Sequence, residues 1–217
     1  MTSLTDHLNK TNQKLILASQ SPRRRELLSQ LGFEFSIQAS DIDETVFSDE
    51  KPYDYVLRLA KEKAQHVFAS LSQQAQENSY VLGSDTSVVF NNTILGKPES
   101  KADCMQTLSL LSGNQHQVLT AIALASRNGV VGEVVTTNVT FKILSEAEIQ
   151  AYWLTGEPQD KAGSYGIQGI AGQFVKSISG SYSAVVGLPL YETAQRLNAA
   201  GFTGALHANK LCSKDNL

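Results

Sequence analysis

A chain of 217 residues with a formal charge of −3 is long enough for one substantial α/β domain that buries a core without staples. The mildly acidic balance argues against a protein that coats nucleic acid, whose footprint is broadly basic, so any basic site must be local. Cys104 and Cys212 match no metal or redox spacing, the polar start "MTSLTDHLNKTNQK" lacks a signal peptide's apolar core, and no run approaches the roughly 20 apolar residues of a membrane span, so a cytoplasmic protein is expected.

Residues 1–13 read as a polar lead-in, 14–203 as a single domain and 204–217 as a polar tail. "KLILAS" is a short apolar run suited to a buried strand. Pro22 fits a first helical turn, and "RRRELLSQLG" follows with Leu27, Leu28 and Leu31 on one face and Gly32 as a stop. "FEFSIQ" alternates like a second strand, and "YDYVLRLAKEKAQHVFASLSQQAQ" reads as one long amphipathic helix. "YVLGSDTSVVF" and "TILGKP" are strands joined by Asn91-Asn92, a pair suited to a tight hairpin.

Ser100 and Asp103 resemble a capping box ahead of "ADCMQTLSLLSG", a helix that Gly113 ends. "HQVLTAIALAS" and "VVGEVVTTNVTFKIL" form a long hairpin around "RNG", rich in β-branched residues. Ser145 and Glu148 make another capping box for "EAEIQAYWLTG". A glycine-punctuated stretch, "DKAGSYGIQGIAGQFVKSISGSYSAVVGLP", leads to a last helix, "LYETAQRLNAAG". Long hairpins mixed with helices predict an α/β fold with a large mixed sheet, in two lobes around a cleft.

Chemistry is concentrated at a few places. "ASQSPRRRELL" puts Arg23, Arg24 and Arg25 at a strand-to-helix junction, where backbone N–H groups favour anions and Ser19 and Ser21 add hydroxyls. The arginines oppose the helix dipole, at about a few tenths of a kcal/mol each, which a bound polyanion would offset; a solvated helix start is the plain alternative. Successive positions lie about 100° apart, so at most two of the three can face one ligand. Asp85 sits in the apolar run of "GSDTSVV", where a carboxylate is costly unless paired or bound to metal. With a two-residue turn at Asn91-Asn92, Thr86 falls opposite Lys97 and Asp85 is its diagonal neighbour within about 8 Å, which a structural ion pair would also explain.

"DIDET" holds Asp41, Asp43 and Glu44, oxygen donors of the kind that suit Mg²⁺ or Mn²⁺. On the long helix Lys63 and Lys61 lie at opposite edges of the stripe of Val56, Leu59, Ala60 and Val67, and spacing does not choose between them. In "DKAGSYGIQG" the glycines permit close backbone approach to a ligand, and Gln168 offers both a donor and an acceptor to the edge of a base. His116 in "GNQHQV" reads as structural. No P-loop, H-E-x-x-H or G-x-S-x-G motif is present.

Taken in order, "ASQSPRRRELL", "DIDET", "AKEKA", "GSDT", "GKP", "SGNQHQVLT", "DKAGSYGIQG" and "GSYSAVVGLPL" resemble the Maf-like nucleotide pyrophosphatases, from about Leu15 to Gly201. The resemblance implies a Maf/ITPase-like fold and hydrolysis of a nucleoside triphosphate to the monophosphate and pyrophosphate with a divalent cation. It makes Asp85 the proton acceptor, with Glu44 and Asp85 near the metal. It also assigns phosphate and metal handling to Arg23, Arg24, Glu44, Lys63 and Lys97, phosphate binding to Ser19, and favours Lys63 over Lys61. Arg23, Thr86 and Gln168 match the subgroup acting on dTTP and UTP, whereas the methylated-guanine subgroup carries Trp, Gln and Glu there. Ser84 departs from the family's usual alanine without touching the expected chemistry.

A housecleaning enzyme of the nucleotide pool follows, with no nucleic-acid or membrane partner and a homodimer as is common among relatives. Whether Asp85 is base or chiefly metal ligand stays open. The rival expectation is a regulatory binding protein affecting septum formation, for which catalysis is secondary.

Overall fold

The apolar run at Leu15, Ile16 and Leu17 forms a buried strand, β1 (Lys14–Leu17), near one edge of a seven-stranded sheet. A computed structural model describes residues 13–208 of the chain; the expected lead-in up to residue 12, the tail from 209 and Cys212 lie outside them. From β1 the chain passes through Ser19–Ser21 into α1 (Pro22–Gln30), with Pro22 in the first turn and the Ser21 side chain accepting from the Arg24 N–H at 3.5 Å. Leu27 and Leu28 are buried on its inner face.

Where six strand residues are expected at "FEFSIQ", only β2 (Ser36–Ile37) pairs, parallel to β1 at the sheet edge. A short edge strand limits the unpaired backbone offered to another chain. A loop without regular structure then carries residues 38–51 to α2 (Pro52–Ser70). The expected long helix divides: Leu71 is extended, and Ser72 caps a separate turn, α3 (Gln73–Gln76), by accepting from the Ala75 N–H at 3.3 Å. A serine offering its own cap competes with helix continuation, which explains the break.

The two long strands that follow form the frame of the molecule. β3 (Ser79–Phe90) turns at Asn91 and Asn92, both with positive φ as a tight hairpin turn requires, into β4 (Thr93–Leu95). After α4 (Lys101–Leu111), β5 (Gln115–Ser126) and β6 (Gly129–Phe141) make a hairpin closed by Arg127-Asn128. The cap at Ser100 is half of the expected box: Ser100 accepts from the Asp103 N–H, while Asp103 accepts from the Glu99 N–H. At α5 (Glu146–Leu154) the reciprocal box of Ser145 and Glu148 is complete.

The glycine-punctuated stretch contains more order than the sequence suggests. Three short 3-10 turns (Glu157–Asp160, Ala162–Ser164 and Ile170–Phe174) lead into β7 (Val175–Ser179), which pairs antiparallel with β6 at the other edge of the sheet. A five-residue helix, α6 (Tyr182–Val186), capped by Ser181, precedes α7 (Leu190–Ala199). The residues after it begin with another turn, α8 (Ala205–Ala208), whose Ala205 N–H donates to the Leu31 carbonyl at 3.0 Å.

The strand order is β2-β1-β3-β5-β6-β7 with β4 beside β3, parallel among β2, β1 and β3 and antiparallel beyond. Helices flank the sheet, and the apolar interior falls into three clusters. One holds Val56, Ala60, Ala64 and Val67 of α2 against the sheet; a second packs Leu27, Leu28 and Leu197 of α1 and α7 against it. The third, around Leu108, Phe141, Tyr152 and Phe174, lies beyond them in the half built from α4, α5 and the 3-10 turns. The fold is the expected mixed-sheet α/β architecture, with a cleft bounded by residues of both halves. Because the chain leaves β1 first to one side, for β2, and then returns to the other, for β3, a crevice opens past the carboxyl end of β1. Open α/β sheets bind ligands at such reversals.

Candidate active site

A cleft of about 1320 Å³ opens at that reversal. The nine residues to which the family resemblance assigns a role all line it: Ser19, Arg23, Arg24, Glu44, Lys63, Asp85, Thr86, Lys97 and Gln168; Asp41 lines it too, whereas Asp43 does not. They come from six separate segments, and the fold brings them to one place.

The centre of the cleft is an ion triad. Lys63 Nζ lies 2.7 Å from Asp85 Oδ1 and 2.7 Å from Glu44 Oε1. Lys63 and Asp85 are buried, whereas Glu44 is exposed at the cleft mouth. Lys63 can reach Asp85 because α2 lies directly on β3 at Gly83. A Cβ there would stand 2.2 Å from the Ala60 carbonyl oxygen and 2.8 Å from the Ala64 nitrogen, so only glycine permits this approach. Lys63 thus belongs to the buried stripe of α2, and Lys61 faces a separate surface groove.

The expected meeting of Asp85 with Lys97 is therefore corrected. The β3–β4 register does follow the two-residue turn, with Phe90 opposite Thr93, but the ladder ends at Val88 and Leu95. Thr86 therefore has no partner on β4; on the opposite edge of β3 it pairs with Thr120 of β5, and the amine meeting Asp85 is that of Lys63. Lys97 reaches the same cleft from the other wall.

Of the three arginines, Arg24 turns inward. Its Nε donates to the Gly187 carbonyl at 3.0 Å and its Nη2 to Thr86 Oγ1 at 3.2 Å. Burial draws its guanidinium pKa below the ordinary value, while the charges of Asp85 and Glu44 act in the opposite sense. Arg23 is half-buried on the cleft wall and Arg25 is exposed, its carbonyl accepting from the Ser29 hydroxyl at 2.8 Å. Ser19 is buried and its Oγ accepts from the Ser21 N–H at 3.2 Å, fixing the turn between β1 and α1. Ser84, read as remote from the chemistry, donates to the same Gly187 carbonyl as Arg24, at 3.1 Å, and so shares in placing that arginine's anchor.

Two supports of the site went unread in the sequence. Arg58 of α2 grips Glu50 with Nε at 2.6 Å and Nη2 at 2.8 Å, donates to the Thr45 carbonyl at 3.0 Å and stacks 3.9 Å over the Phe47 ring. It thereby ties down the loop that carries Glu44. Tyr55, one turn earlier, donates to the Glu44 carbonyl at 3.0 Å; burial, then the Asp85 and Glu44 charges, push its phenol up to about 12.

The glycines of "DKAGSYGIQG" also have protein neighbours where ligand approach is expected. A Cβ on Gly163, which has a φ of 66°, would stand 2.7 Å from Val88, and one on Gly169 would stand 2.4 Å from the Glu157 carboxylate. His116 is buried with Nε2 2.8 Å from the Tyr165 hydroxyl, and burial pulls its pKa down to about 4. It is part of the core and not of the cleft.

Lys63 bonded to two carboxylates, an inward arginine at a helix start and further cations on both walls make a cleft built for an anion bearing several charges. Glu44 and Asp85 are a donor set that a hard divalent cation accepts, since Mg²⁺ commonly takes one or two carboxylates and completes its shell with water and substrate phosphates. Among the described residues no group of three or more His, Cys, Asp or Glu side chains is placed to hold a metal by itself.

The family model for "Maf-like protein" matches residues 14–200, and the chain belongs to that family. It is 72% identical over 207 residues to the dTTP/UTP pyrophosphatase of Colwellia psychrerythraea, covering 95% of this chain and 98% of the relative. To the dTTP/UTP pyrophosphatase of Pseudoalteromonas translucida it is 59% identical over 181 residues, covering 83% of this chain and 94% of that one. Among solved structures, the nucleoside-triphosphatase / dITP/XTP pyrophosphatase of Mycobacterium abscessus aligns with a TM-score of 0.38 at 15% identity, over 59% of this chain and 72% of that one.

Proposed function

We propose that this chain is a pyrimidine-directed nucleoside triphosphate pyrophosphatase, hydrolysing dTTP and UTP to the monophosphate and pyrophosphate with a divalent cation. The relatives just described carry that name along almost their full length. The single observation of the structure that carries the reading is the Lys63–Asp85–Glu44 triad in one cleft with Arg24.

In this reading the triphosphate lies along the cleft, with its charge met by Arg23, Arg24, Lys97 and the N–H groups around Ser19. Asp85 orients a water molecule and takes its proton as the oxygen attacks the α-phosphorus. The α–β anhydride bond breaks, and pyrophosphate leaves with the bonding electrons. Charge growing on that leaving group is stabilised by the fixed cations of the cleft, the effect that usually dominates phosphoryl transfer. Glu44 and Asp85 would hold Mg²⁺ or Mn²⁺, which when bound neutralises phosphate oxygens and lowers the pKa of water. A homodimer, drawn from the family resemblance, and the cytoplasmic location expected from the sequence belong to the same reading.

The test is pyrophosphate release from dTTP, UTP, CTP, GTP and 7-methyl-GTP, each with Mg²⁺, with Mn²⁺ and with chelator. Higher kcat/KM on dTTP and UTP, abolished by chelator, is expected. Equal efficiency on GTP and UTP overturns the pyrimidine assignment, and no release from any triphosphate overturns the enzyme.

A further inference from the structure

Gln168 stands on the tip of a turn, and that turn is held by a carboxylate to which nothing above gives a role. The Gly169 N–H donates to the Gly166 carbonyl at 3.1 Å, so Ile167 and Gln168 are the two central residues of a closed four-residue loop. Ile167 packs against the apolar clusters of both halves, while Gln168 is exposed on the cleft wall. A glutamine amide on a mobile tip would select poorly between bases, because its donor and acceptor must be held in register with the base edge.

Both ends of the tip lead to Glu157. Its Oε2 accepts from the Ile170 N–H at 2.7 Å and its Oε1 from the Ala171 N–H at 3.2 Å. These are the first N–H groups of the 3-10 turn that starts after Gly169, a turn with no side-chain cap of its own. Glu157 is that cap, supplied from 13 residues earlier in the chain. Its Oε1 also accepts from the Tyr152 hydroxyl at 2.8 Å, and that same hydroxyl lies 3.4 Å from the Gly166 N–H. A continuous chain of hydrogen bonds therefore runs from the entry of the tip, through Tyr152 and Glu157, to its exit. Gly169 leaves the space into which the carboxylate fits, since a Cβ there would collide with it.

We propose that Glu157 is a positioning residue for substrate choice: by bracing both ends of the Gly166–Gly169 turn it sets the place at which Gln168 meets the base of a pyrimidine triphosphate. The proposal rests on the pyrimidine-triphosphate reading given above. Only a carboxylate serves, because the two backbone groups and the phenol are all donors. The amide of a glutamine would present an N–H to one of them.

The experiment is kcat/KM on UTP, dTTP and GTP for the wild type, Glu157→Gln, Glu157→Ala and Tyr152→Phe, with amide hydrogen exchange over residues 166–171 of the free proteins. The expected result is faster exchange there and a UTP-to-GTP preference reduced about tenfold in Glu157→Ala, mainly through KM for UTP, with smaller effects in the other two variants. Tyr152→Phe keeps the ring in the core and reports on the brace if the glutamate variants fold poorly. Unchanged preference in variants whose loop exchanges faster overturns the positioning role alone, as does a uniform fall in kcat on every base. A wild type without pyrimidine preference overturns this proposal together with the reading beneath it.

Discussion

Arg24 and Thr86 are bonded to each other, Nη2 to Oγ1 at 3.2 Å, so the inward arginine of the cleft and a residue matched to substrate specificity form one unit. Thr86 Oγ1 also lies 3.1 Å from Thr120 Oγ1, which in turn donates to the Ala184 carbonyl at 2.7 Å. The threonine hydroxyl is thus engaged by the protein before any base arrives. Thr86→Val keeps the shape of the side chain and removes the acceptor, leaving Arg24 held by Gly187 alone. A hydrogen bond to a charged group is worth about 1.5–3 kcal/mol, so triphosphate KM should rise by about tenfold or more. If Thr86 acts through Arg24, UTP, CTP and GTP suffer alike. A loss confined to UTP and dTTP would show instead that the hydroxyl touches the base.

Asp85→Asn should leave the fold standing and remove nearly all hydrolysis. Lys63 keeps Glu44 as its ionic partner in this variant, and the asparagine oxygen still accepts from the ammonium, so no buried charge is stranded. The loss of a general base lowers rates by about 10²–10⁴. Lys63→Met differs because it removes the cation that bridges the two carboxylates, and its melting temperature should fall further than that of Asp85→Asn. Thermal melts and single-turnover rates of both variants separate the two effects. Near-normal turnover in Asp85→Asn would remove that residue from the chemistry.

Much of the fold was legible because its long elements repeat one period without interruption. β3, β5 and β6 are continuous apolar or alternating runs, and the turn at Asn91-Asn92 announced itself by residues that tolerate positive φ. β7 and α6 were hidden because glycines surround them, and their pairing depends on β6, which is distant in sequence. In the site, residue types and order pointed to the cleft, but partners did not follow from hairpin arithmetic. Asp85 looked across the turn to Lys97, while the structure gives it Lys63 across the α2–β3 contact. The clue was Gly83: a glycine inside a strand marks close backbone approach, and the helix that approaches there carries the lysine. Arg58 and Glu157 escaped notice because each binds groups of an irregular segment, which leaves no spacing in the sequence to read.

Arg58→Ala should weaken the use of metal more than the grip on nucleotide. The guanidinium holds Glu50, the Thr45 carbonyl and the Phe47 ring, and those contacts frame the exposed carboxylate of Glu44. Without them the loop gains freedom that, in the reaction proposed above, Glu44 would give up each time a cation is bound. The Mg²⁺ concentration for half-maximal rate should therefore rise by about five- to tenfold, corresponding to roughly 1–1.4 kcal/mol, with KM for UTP at saturating Mg²⁺ changing little. Arg58→Lys, which keeps the charge and loses the fork, should fall between the wild type and alanine. An unchanged Mg²⁺ requirement in Arg58→Ala would mean that the loop does not depend on this residue.

His116 gives the stability of the fold a pH dependence that can be read apart from catalysis. Its imidazole is buried against Phe141, with ring centroids 4.9 Å apart, and Nε2 is bonded to the Tyr165 hydroxyl. Burial lowers its pKa from 6.5 to about 4 in the folded protein. The folded state therefore resists protonation and the unfolded state does not. The stability due to the neutral ring is complete above about pH 6.5 and is lost as the pH falls through that value toward 4, by an amount of order 3 kcal/mol. His116→Gln retains a partner for Tyr165 and cannot titrate. Urea midpoints measured from pH 7.5 to 4.5 should fall more steeply for the wild type than for the variant, the two curves converging at the acid end. Parallel curves over that range would show that His116 does not carry the effect.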